Sequence, residues 1–208
     1  MTSPASLTSD LLSASASNLS PAGRDALALV RERQAARPPV PCVRVRKSAR
    51  GDHRVEFDHS DPAVATTLLM RALGTVNPAF LDGILGQAVN VATKGQEIDV
   101  PATNFVLAAM AGAAPQDDVE AMLAAQMAAV HLATMTFARR LAHVENLPQQ
   151  DSAARVFNRL TRTFTMQVDA LKRYRTGGQQ RVRVEHVTVN EGGQAIVGNV
   201  STEGRGKK

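Results

Sequence analysis

The chain has 208 residues, 44% of them apolar, a net charge of +5, one Tyr, one Cys and no Trp. That length holds one sizeable domain or two small ones, and the scarcity of aromatic residues leaves a core to be built from Ala, Val, Leu and Met. The lone Cys42 excludes an intramolecular disulfide and a Cys-rich zinc site. No apolar run approaches the ~20 residues of a membrane span, and residues 1–20 have neither a basic start nor an apolar block, so a cytoplasmic protein without membrane contact is expected.

Residues 1–40 are expected to form a disordered, Ser/Ala/Pro-rich segment with a short helix at 22–36, because the segment has few large apolar groups to offset the entropy of ordering. Val43 to Lys47 and Arg54 to Asp58 read as two short strands around a turn at 49–52, a hairpin carrying Arg44, Arg46, Lys47, Arg50 and Arg54. Three capped helices follow. Asp61 before Pro62 opens the first, which ends at Gly74; Asn77 before Pro78 opens the second, to about Thr93; Pro101 opens the third, to Ala113. Their residues Leu68, Leu69, Leu73, Phe80, Leu81, Ile84 and Leu85 are expected to face one small core.

A long antiparallel helical hairpin comes next, at about 117–146 and 151–175. Asp117 and Glu120 have the spacing of an N-terminal capping pair, and Val119, Met122, Leu123, Met127, Val130, Met135, Phe137 and Leu141 recur at helical intervals. The turn is placed at 146–150, with Asp151 or Ser152 capping the second helix, whose apolar stripe is Phe157, Leu160, Phe164, Val168, Leu171 and Tyr174. Two helices of that length bury only one side of themselves, so the preceding helices or another subunit must cover the rest. Gly177 and Gly178 then break the pattern. A β-hairpin tail is expected at 177–202, strands at about 181–200, with Val182, Val184, Val187, Val189, Ile196, Val197 and Val200 as assembly residues. An isolated two-stranded hairpin is marginal in water, so its edges need a partner. Residues 203–208 make a loose basic end. The fold class is therefore mainly α: a helical domain at 41–176 with two small β-hairpins.

Charge is unevenly spread. Residues 55–136 hold nine acidic side chains against two basic, and residues 137–208 thirteen basic against six acidic. Such halves can pair within or between subunits, or the basic end can attract a polyanion. Arg155, Arg159 and Arg162 form a stripe opposite the apolar face of the last helix, extended by Lys172, Arg173 and Arg175. The helix pair around Gly74 has the layout of a helix-turn-helix. Its second helix, however, carries Asp82, Gln87 and Asn90 and no Lys or Arg, the wrong sign for a duplex. His131 lies beside Met127 and Met135 and reads as a packing residue. The Glu-x-x-His spacing of ferritin-like metal sites is absent, as are Walker, Rossmann, nucleophile-elbow and His-Glu zinc motifs.

The run from Ala121 to Arg140, the stretch Pro148 to Ser152, the segment Lys172 to Gly178 and the ending Glu191 to Val200 resemble an uncharacterised family of proteobacterial hypothetical proteins. That likeness implies bacterial kinship and supplies no activity or catalytic residue. The layout is also similar to that of phage small terminase subunits, which combine a DNA-binding helical unit, an oligomerisation hairpin and a C-terminal β-element; the acidic helix at 78–93 departs from that pattern.

The reading that follows is a non-enzymatic, self-associating helical protein that needs no cofactor or metal. Its polyanion or nucleic-acid surface would be Arg155, Arg159, Arg162, Lys172, Arg173 and Arg175, with Arg44, Arg46, Lys47 and Arg50 as a second patch. The alternative is an adaptor whose tail adds strands to the sheet of another protein. A remote third is a metal-dependent enzyme using His131, His143 and nearby carboxylates.

Overall fold

A computed structural model describes residues 20–47, 53–93, 95, 97–144 and 146–177. The chain forms two compact units, Met1–Lys172 and Arg173–Lys208. Of the second, only 173–177 are described. The expected tail hairpin, with its assembly residues Val182 to Val200, lies outside the described residues, as does Arg50.

The described part is mainly α, with one small antiparallel sheet. Helix α1 (Pro21–Ala35) is followed by strands β1 (Val43–Lys47) and β2 (His53–Phe57). Helices α2 (Pro62–Ala72), α3 (Pro78–Ala92), α4 (Val100–Gly112), α5 (Asp118–His143) and α6 (Leu147–Arg175) complete it. The caps behave as their residue types require. Asp61 accepts from the N–H groups of Ala63 and Val64, and Asn77 from those of Ala79 and Phe80. Asp99 accepts from Ala102 N–H, so α4 starts one residue before the proline that signals it. At α5 the expected pair is reciprocal: Asp117 accepts from Glu120 N–H at 2.8 Å, and Glu120 accepts from Gln116 N–H at 3.0 Å.

The core is where α2, α3, α4 and the first half of α5 meet. Leu69, Leu73, Leu81 and Ile84 are buried as expected, while Leu68, Phe80 and Leu85 are half-buried. Val106, Leu107 and Met110 of α4 fill the centre. On α5 the buried face differs from the expected one. Ala121, Ala124 and Ala128 enter the core, whereas Val119, Met122 and Met135 stay exposed. Alanine at spacings of three and four lets the α5 backbone approach α3 and α4 closely, which a stripe of methionines would prevent.

The hairpin is registered Val43 opposite Phe57 and Val45 opposite Val55, so apolar residues share one face and Arg44 and Arg46 the other. β2 begins one residue earlier than expected. Asn104 of α4 holds β1 with both ends of its amide: Val43 N–H donates to Asn104 Oδ1 at 2.7 Å, and Asn104 Nδ2 donates to Val43 O at 3.0 Å. The side chain thus takes the place a third strand would have.

Two features of α5 and α6 bear on the sequence reading, and the first corrects it. The turn is shorter than 146–150, because Asn146 accepts from Gln149 N–H at 3.0 Å and caps a helix that already includes Leu147 to Gln150. Pro148 is tolerated there, since the first-turn N–H groups lack helical partners in any case. Second, α5 is by length and composition apolar enough to cross a membrane, a test that the core helix of a folded domain also passes. Residues 121–138 carry no charge, but Gln126, His131, Thr134 and Thr136 interrupt the apolar run, which is why run length alone passes over the segment.

Candidate functional site

Helix α6 is the longest described element and is less covered than the core helices α2 to α5. Of its 29 residues only Ala153 and Leu171 are buried. Val156, Phe157, Leu160 and Phe164 of its apolar stripe are half-buried, and Val168 is 41% exposed. Gln167 Oε1, on the same stripe, is buried without a hydrogen-bond partner among the described residues, a position that costs about 1–3 kcal/mol if left unfilled. Across from it, the stripe of α5 that enters the core as Ala121, Ala124 and Ala128 emerges as Met135, 55% exposed. The two helices meet at His131, whose ring lies 6.3 Å from that of Phe164 and 5.8 Å from that of Phe105 on α4. An imidazole flanked by two phenyl rings is a packing residue. His143 Nδ1 lies 2.8 Å from Arg139 O, and no group of three or more His, Cys, Asp or Glu side chains is placed to hold a metal among the described residues.

The outer face of α6 is basic. At 100° per residue, Arg155, Arg159 and Arg162 fall within an arc of roughly 60°, about opposite Leu160 and Phe164. All three are exposed, and none is paired with a carboxylate among the described residues. Lys172, the last residue of the first unit, and Arg173 and Arg175, of the second, are also exposed.

The hairpin arginines are differently placed. Arg44 Nη1 is 3.0 Å from Asp58 Oδ1 and Arg46 Nη1 is 3.6 Å from Glu56 Oε2, both at the surface. Lys47 lies in β1 opposite His53. Two of the hairpin arginines are thus paired with carboxylates at the surface, whereas Arg155, Arg159 and Arg162 of α6 have no such partner among the described residues. The acids involved, Glu56 and Asp58, belong to the acidic 55–136 stretch.

A third feature was not anticipated. A cleft of about 340 Å³ opens where the chain leaving α1 passes the C-terminal ends of α2 and α4; Arg37, Val40, Arg71, Ala108, Ala111 and Gly112 are among its walls. Only the two arginines hint at it in the sequence, and they are 34 positions apart. A second groove, between α3 and α5, is lined by Gln87, Asn90, Val91, Met122 and Gln126 and has no charged residue.

Comparison of the chain with protein-family models, with curated proteins and with solved structures found no match. The geometry of the chain itself is the ground for its function.

Proposed function

We propose that this is a non-enzymatic cytoplasmic protein that self-associates through the α5–α6 hairpin and presents the arginine face of α6 to a polyanion such as nucleic acid. The observation that carries the reading is the imbalance of α6: 29 helical residues, two of them buried, with a half-covered apolar stripe on one side and unpaired arginines on the other. A second copy laid along the stripe would remove Phe157, Leu160, Phe164, Val168 and Met135 from water at about 25 cal/mol per Å² of apolar area. It would leave the arginines outside, one basic face on each outer side of the pair.

The polyanion half is tested by the anisotropy of labelled duplex and single-stranded oligonucleotides at low salt. R155E/R159E/R162E is expected to abolish binding, while the neutral triple R155A/R159A/R162A lowers the slope of log K against log salt on duplex by about 2.7. Unchanged binding by the charge-reversed protein would remove this role. The hairpin charges serve as the comparison: R44A/R46A, whose arginines are already paired, is expected to change binding less.

A further inference from the structure

The cleft at the ends of α2 and α4 has three properties that converge. The first is its charge. Arg37 and Arg71 both line it, no acidic side chain does, and neither arginine has a carboxylate partner among the described residues. The C-terminal carbonyls of α2 and α4 also face this end of the fold, and each helix end carries about half a negative charge. Two guanidinium charges exceed that by roughly one unit. Glu120 is buried behind Gln116, where it accepts from that residue's N–H, and is not part of the lining.

The second property is the wall. Apart from the arginines and Gln116, the lining side chains are Ala, Gly, Pro and Val. A surface of that kind offers apolar contact and no competing hydrogen-bond group. At about 340 Å³ the space is at the small end of the range for small-molecule sites.

The third is the backbone. Gly74 ends α2 at φ +66°, and a Cβ there would collide with Pro115 O, so the two turns pack main chain against main chain. On the facing turn Ala114, a non-glycine residue, is held at φ +49°. A left-handed alanine costs roughly 1 kcal/mol or more, and such strain collects where a ligand-holding geometry is fixed in advance. Both turns line the cleft.

We infer that this cleft binds a small organic oxyanion, its carboxylate or phosphate held by the guanidinium groups of Arg37 and Arg71 and its apolar body lying against the alanine and glycine wall. Guanidinium forks match either oxyanion in two parallel hydrogen bonds. The site is separate from the α6 surface and does not depend on self-association.

The test uses the full-length chain with three probes: inorganic phosphate, phenyl phosphate and benzoate, each titrated while the backbone amide resonances of Gly74, Gly112 and Ala114 are followed. Phenyl phosphate or benzoate is expected to shift these resonances saturably, and which binds more tightly identifies the preferred oxyanion. Inorganic phosphate should bind at least tenfold more weakly than phenyl phosphate, since it leaves the wall uncovered. R37A/R71A, two exposed positions whose loss leaves the core intact, should weaken the better probe at least tenfold, and A108F should block it by filling the space from an exposed helix position. R155A should change nothing. The inference is overturned if neither organic probe shifts the three amides at millimolar concentration, if R37A/R71A binds as well as the parent, or if inorganic phosphate binds as tightly as phenyl phosphate.

Discussion

The first half of α5 and the whole of α6 face the same physical problem, hiding an apolar stripe, and reach different degrees of cover. Residues 118–128 bury Glu120, Ala121, Ala124 and Ala128 against α3 and α4, whereas α6, more than twice as long, buries Ala153 and Leu171. Small side chains explain the first result, because they bring backbones close and let neighbouring helices supply the rest of the core. On α6 the large residues Phe157, Leu160 and Phe164 are only half-buried, and the ring of Phe164 meets that of His131 on α5. The core is thus closed within the single chain, while the hairpin leaves an apolar stripe half-covered, the feature on which the proposed self-association rests.

Substitutions on either side of that divide sharpen it. The largest effect is expected for Leu107→Ala, which empties a fully buried position. It should cost about 3 kcal/mol in urea unfolding, independent of protein concentration. Leu160→Ala, the same change on α6, should cost less than half as much in dilute protein and more as concentration rises; equal costs at every concentration would erase the distinction.

Gly74→Ala comes next. Left-handed strain and the approach of Pro115 O together should destabilise the core by about 2 kcal/mol, read as a lower urea midpoint. Asn104→Ala removes both hydrogen bonds to Val43 and should cost about 1–2 kcal/mol. Proteolysis within the hairpin should accelerate at the same time; an unchanged rate would mean that β1 is held by its apolar face alone. The smallest effect has the opposite sign: Ala114→Gly should raise stability by about 1 kcal/mol by relieving the φ +49° residue.

Much of the core region was legible in the sequence, because its helices are signalled by chemistry that acts locally. Asp61, Asn77 and the Asp117–Glu120 pair can each satisfy N–H groups two to four residues away, so a short window identifies them. Asn146 uses the same chemistry, yet Pro148 two residues later reads as a helix breaker until the proline is placed in the first turn. The buried face of α5 was less legible, since alanine gives a weak hydrophobic signal and the methionines beside it a strong one. At the candidate sites the arginine stripe of α6 follows from helical spacing alone. The pairing of Arg44 with Asp58 depends on a strand register, and the placing of Arg37 and Arg71 on one cleft depends on how three segments cross. Neither distance is encoded in local spacing. Asn104 is the clearest case of the same limit: an amide in an apolar helix is unremarkable until the edge of β1 is laid beside it.

The central claim is that the α5–α6 hairpin is completed by a second copy of the chain. The most direct test is solution mass by light scattering over a hundredfold range of concentration, for the parent protein and for M135K/V168K, which alters two side chains already exposed in the single subunit. The expected result is an oligomeric parent and a variant that falls to monomer while keeping its helical circular dichroism and urea midpoint at low concentration. A parent that stays monomeric throughout, or a variant with the parent's mass, would contradict it.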